Sequence, residues 1–160
     1  MNSFTPPMLS RLALIALIAA LAIGGLAPSS VQAAAHTPQP GSLERQAICD
    51  ALRAYLLARV ATRKPPQPIV FKVDVMRVDA GVAWFQGVPL LKDGSYVPDG
   101  ILPDVGYTFV LQRDGGEWRV KEDLSRSDVP SASEVAQLRA ALRDVPTSVI
   151  PAFWRQILKR

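Results

Sequence analysis

The only histidine in the 160-residue chain, His36, follows three alanines, and a polypeptide that began at Ala34 would bring a free amine, two amide nitrogens and an imidazole together. That is a square-planar nitrogen set suited to Cu(II) or Ni(II). A chain beginning at His36 would make the residue terminal instead. No second histidine is present to add a ligand, so metal binding at His36 stands as an alternative to simple coincidence with a cleavage site. The only cysteine, Cys49, excludes an intramolecular disulfide. It falls at the edge of an apolar helical stripe with no histidine to activate it, and is read as a small hydrophobe. The acids expected on strands, Asp74 and Glu122, are flanked by Lys72, Arg119 and Lys121. Strand alternation puts Lys72 and Asp74 on one side, which reads as a solvated ion-pair face, with a buried general base as the alternative. No Walker loop, G-x-S-x-G elbow, cysteine and histidine grouping or EF-hand spacing occurs, and a serine triad would lack its base. No catalytic residue and no cofactor are therefore expected.

The elements that must position these residues begin after a leader. Arg11, the apolar run Leu12 to Ile23 and the small residues of Val31-Gln32-Ala33-Ala34-Ala35 form a secretory signal pattern with a cut after Ala33 or Ala35. The run is too short for the roughly 20 residues that span a bilayer. No cysteine adjoins either cut, so no lipid anchor is expected, and the mature form should carry no membrane span. The expected organisation is signal peptide 1–33, flexible arm 34–41 and one domain over 42–160, in the periplasm or secreted. Net charge is +4, and the basic residues are scattered among acids. Nucleic-acid binding, which gathers Lys and Arg on one face, is not indicated.

Within the domain, Leu43, Ala47, Ile48, Ala51, Leu52, Tyr55, Leu56 and Val60 recur at helical spacing, with Ser42 as N-cap and Pro65-Pro66 beyond. The period then falls to two. Ile69, Phe71, Val73 and Val75 predict a strand with one apolar face. Asp79-Ala80-Gly81 predicts a turn, Val82 to Leu90 a second strand, and Tyr107 to Arg113 with Glu117 to Glu122 a hairpin across Asp114-Gly115-Gly116. Between the second and third strands, 92–106 reads as a long loop. Its Tyr96, Ile101 and Leu102 could fold back on the body or close a ligand site as a lid. Ser131-Ala132-Ser133-Glu134 is a capping box for a helix that Pro146 ends. Pro151 to Arg160 reads as a further short helix. Its Phe153, Trp154, Ile157 and Leu158 either finish a core or dock in a partner's groove.

One amphipathic helix followed by a long antiparallel meander resembles the cystatin-like or nuclear-transport-factor-like superfold, as seen in small exported bacterial proteins of unassigned role. The residues that carry the resemblance are Ala47-Ile48-Cys49-Asp50-Ala51-Leu52-Arg53, Met76-Arg77-Val78, Gly81-Val82-Ala83-Trp84, Gln112-Arg113-Asp114-Gly115-Gly116-Glu117-Trp118-Arg119-Val120 and Asp128-Val129. It implies an α+β domain: an N-terminal helix on a four-stranded antiparallel meander, with one or two short C-terminal helices. Enzymes of that superfold use an Asp or His and a Tyr in the concave face of the sheet, and this domain has no histidine past His36. The reading is an exported non-enzymatic binding or accessory protein, with an unidentified protein or small molecule as partner. The alternative is a small isomerase- or dehydratase-like enzyme.

Overall fold

The computed structural model describes residues 34–160 apart from 61–63, 99, 104, 127, 128 and 160, so the expected leader 1–33 lies outside the described residues. Helix α1 spans Leu43–Arg59. The Ser42 side chain accepts from the Arg45 amide at 3.2 Å, which satisfies one of the free donors of the first turn. Ile48, Leu52 and Leu56, four residues apart, form its buried stripe.

Four strands follow, β1 (Ile69–Asp79), β2 (Val82–Leu91), β3 (Tyr107–Asp114) and β4 (Glu117–Asp123), in one antiparallel sheet of order β1-β2-β3-β4. The β1–β2 and β3–β4 turns each have two central residues, and all four of those have positive φ: Ala80 at 47°, Gly81 at 73°, Gly115 at 56° and Gly116 at 90°. Such turns twist in the sense of the flanking strands. Each hairpin also contains an irregularity. The register shifts between Val73 and Val75, leaving Asp74 unpaired, and between Leu111 and Val110, where Lys121 is passed over. A bulge of one residue reverses which side chains face which side.

The sequence predicts one apolar face on the sheet, and the structure buries both. Met76, Ala83, Phe85, Phe109 and Leu111 pack under α1 with Ile48 and Leu52. Val82, Trp84, Val110 and Leu124 pack on the opposite side under α2 (Ala132–Ala141) and α3 (Ala152–Ile157), against Val135, Leu138, Trp154 and Ile157. The described residues thus form an α+β domain of three layers, with α1 on one side of the sheet and the C-terminal helices on the other. Consecutive apolar residues such as Ala83-Trp84-Phe85 and Phe109-Val110-Leu111 alternate between two cores. Trp84 and Trp154 meet edge to face at 5.6 Å.

Two contacts tie the periphery down. The capping box at α2 is formed as its residues predict, with the Ser131 amide on Glu134 Oε2 at 2.8 Å and the Glu134 amide on Ser131 Oγ at 3.4 Å. Asp79, buried at the end of β1, accepts from the Ser148 hydroxyl, which fastens the segment between α2 and α3 to the first hairpin. The expected flexible arm, 34–41, is also held: His36 and Val78 exchange backbone hydrogen bonds of 2.9 and 2.8 Å, and Pro38 is buried. The cause is the outer edge of β1, whose backbone groups are open to a further strand. Among the described residues no helix is long and apolar enough to cross a membrane.

Candidate functional site

Beyond the regular ladder, β3 and β4 stay in contact. The Leu124 amide donates to Thr108 O at 2.8 Å, and the Arg126 amide to Gly106 O at 3.3 Å. Alternation along these strands then sends side chains to two different clefts at the same end of the sheet. Thr108, Leu124 and Arg126 line the first, with α3; Tyr107, Asp123 and Ser125 line the second, with α1.

The first cleft, of about 250 Å³, has Leu124, Trp154 and Ile157 as apolar lining and a polar wall where Gln86 Nε2 donates to Thr108 Oγ1 at 3.3 Å. Arg126 is held by Glu134, Nη1 to Oε1 at 3.2 Å, and by Leu124 O. The Glu134 carboxyl is depressed below its ordinary range, first by the hydrogen bond from the Ser131 hydroxyl and then by the Ser131 amide, with Arg126 adding to the effect. The Trp154 indole nitrogen is buried and has no hydrogen-bond partner among the described residues. At the rim, Phe153 is 60% exposed and Val129 is 67% exposed. Large apolar side chains left in water beside a concave surface mark a binding site more often than a bare stretch of surface does.

The second cleft, of about 500 Å³, lies between the end of α1 and the long loop. Asp123 accepts from Tyr55 Oη at 3.2 Å, from the Arg59 guanidinium and from the Ser125 amide at 3.0 Å. The guanidinium also lies 4.9 Å from the centre of the Tyr55 ring. Burial, together with the neighbouring Asp123 carboxylate, raises the Tyr55 phenol above its usual value. The loop does fold back. Leu102 is buried and Ile101 half-buried beside this cleft, while Tyr96 is 76% exposed and lines a further depression of about 390 Å³ with Val88 and Val97.

The four apolar residues of the terminal segment separate by helix phase. Trp154 and Ile157 enter the second core, Leu158 packs half-buried against it, and Phe153 points to solvent at the first cleft. His36 places Nε2 2.7 Å from Glu44 Oε2, and its backbone N–H, one of the nitrogens a copper site would need, is donated to Val78 O. Among the described residues no cluster of three His, Cys, Asp or Glu could hold a metal ion. Cys49 is half-buried against the α1 core, and burial pushes its thiol up. Lys72 and Asp74 form no ion pair, since the bulge at Asp74 breaks the alternation that would align them.

Sequence reasoning passed over Asp123 in favour of Glu122. Simple alternation from Trp118 and Val120 would put Asp123 on the far side of the sheet. The bulge at Lys121 returns it opposite Phe109, beneath α1, and leaves Glu122 opposite Val110. Tyr55, Arg59 and Asp123 then meet across 68 and 64 residues of chain, for which no local motif exists. Gln86 and Thr108 are likewise joined only by strand register. No known protein family, no curated protein and no solved structure matches this chain.

Proposed function

We propose that the chain is an exported, cystatin-like binding or accessory protein that works without catalysis and holds a small apolar ligand in the cleft beneath α3. The observation that carries this reading is the exposure of Phe153 and Val129 around a concavity of Leu124, Trp154 and Ile157 that also contains the Gln86–Thr108 pair and Arg126. Apolar lining with a few fixed polar groups is the usual make-up of a small-molecule site. Export rests on the leader pattern of the sequence.

The test is a titration of the 15N-labelled protein with small apolar compounds, neutral ones included. Shifts confined to residues around Phe153, Leu124 and Thr108, lost on Phe153→Ser, are the expected result. Mass spectrometry of the secreted form should find a chain beginning at Ala34 or His36, and a full-length chain would remove the exported part of the reading. A second reading has its own observation. Tyr55 and Asp123 lie in hydrogen-bond contact beside the larger cleft, the pair of residue types that isomerases and dehydratases of the resembled superfold employ. Shifts clustered at Tyr55 and Asp123 in the same titration would favour that enzyme reading over ligand holding.

A further inference from the structure

We infer that the ligand of the cleft beneath α3 is a free medium-chain monocarboxylate, its carboxylate against Arg126 and Thr108 and its alkyl chain along Leu124, Ile157 and Phe153. This deepens the ligand-holding reading of the same cleft and rests on it. The argument is an inventory of unspent hydrogen-bonding capacity. Thr108, 4% exposed, accepts from Gln86 through its hydroxyl oxygen, and among the described residues the hydroxyl's own proton goes to no partner. Trp154, 4% exposed, has a buried indole N–H with no acceptor among the described residues. Arg126 uses Nη1 on Glu134 and Nε on Leu124 O, and its Nη2 makes no bond among the described residues. The hydroxyl proton, the indole N–H and the guanidinium nitrogen are donors left over, while the Gln86 carbonyl and the Thr108 oxygen are the side-chain acceptors among the described lining residues, so the cleft suits a ligand that brings acceptors.

Charge narrows the class. The single guanidinium is already paired with Glu134, so any bound anion adds net negative charge, and a monoanionic carboxylate adds less of it than a dianionic phosphate monoester while still taking a charge-assisted hydrogen bond from the remaining guanidinium nitrogen. Hydrogen-bond supply narrows it again. Each residue of a bound peptide brings an N–H that needs an acceptor, and among the described lining residues Gln86 offers the only side-chain carbonyl. An alkyl carboxylate brings no donor at all, and its chain suits a lining of Leu124, Ile157 and Phe153 in a volume of about 250 Å³.

Octanoate and 1-octanol, titrated separately into the 15N-labelled full chain at neutral pH, separate the parts of this proposal. Octanoate should bind about tenfold more tightly than octanol, the scale of one charge-assisted hydrogen bond. It should also shift the Trp154 indole resonance, which Trp154→Phe assigns. Arg126→Gln should bring octanoate down to the affinity of octanol while octanol binding stays unchanged, which also shows that the variant is folded. Thr108→Val should weaken octanoate several-fold and octanol little. Equal wild-type affinity for the two probes, or a preference for octanoate that survives Arg126→Gln, overturns the carboxylate assignment. Movement of the Leu124 and Phe153 resonances in that case leaves the cleft standing as a binding site. If neither probe moves any resonance of the cleft, the carboxylate assignment and the binding reading fall together.

Discussion

Ala80 holds φ at 47°, a conformation in which an L side chain crowds the backbone and which costs roughly 1–2 kcal/mol relative to glycine. The hairpin needs that angle, since both central residues of a two-residue turn of this type are left-handed. Ala80→Gly should therefore raise stability by about 0.5–1 kcal/mol once the added freedom of the unfolded chain is set against the relieved strain. Ala80→Val should lower it, and urea unfolding of the pair checks the sign. At Gly87 the constraint is space: a Cβ there would lie 2.4 Å from Lys72 O and 2.9 Å from the Phe85 ring. A backbone carbonyl inside the sheet has nowhere to retreat, so Gly87→Ala should destabilise by about 1–3 kcal/mol. Cys49 makes a chemical prediction. Its thiol is half-buried and pushed up by that burial, so the native protein should react with a disulfide reagent at pH 8 much more slowly than free cysteine, and at the ordinary rate once unfolded. Native reactivity equal to that of free cysteine would show that the side chain is open to solvent.

At the scale of elements, α3 is a six-residue helix that could not persist by propensity alone. Trp154 and Ile157 hold it on the sheet, with Arg139 Nε donating to Leu158 O at 2.7 Å from α2. Trp154→Ala should cost about 3–5 kcal/mol. Truncation after Ile150 should lower the unfolding midpoint by at least several degrees, since each kcal/mol moves a domain of this size by roughly 3–5 °C. An unchanged midpoint would mean that α3 is not part of the core. What the sequence makes legible here follows from local physics. The α1 stripe, the capping box and both tight turns depend on residues within a few positions of one another, and the structure shows all of them. The bulges at Asp74 and Lys121 depend on the partner strand, and each reverses the parity by which faces are assigned. That is why Asp123, rather than Glu122, meets Tyr55. The terminal apolar cluster is legible as a cluster. Which member faces the cleft depends on how the helix is rotated on the sheet, and Phe153 and Trp154, about 100° apart on an α-helix, end on opposite sides of that question.

For the whole molecule, the governing feature is that one sheet serves two cores. Trp84 and Phe85 are successive residues of β2, both fully buried, and they belong to different layers. Neither layer has a strand of its own, so loss of packing on one face exposes the backbone on which the other face is assembled. The layers should then unfold as a unit even though α1 and the C-terminal helices lie on opposite sides. Leu52→Ala in the α1 layer should cost about 2–5 kcal/mol, and Leu138→Ala in the α2 layer a similar amount. Two probes can tell shared from separate melting. Far-ultraviolet circular dichroism follows the helices and the sheet together. Tryptophan fluorescence weights the second core, where Trp84 and Trp154 meet. In the wild type and in each variant the two curves should coincide at a single midpoint, as a two-state domain requires. A Leu138→Ala protein whose fluorescence changes well before its circular dichroism would instead mean that the C-terminal helices detach from a sheet that stands on α1 alone. In that molecule the cleft beneath α3 would open with them, while the α1 layer remained intact.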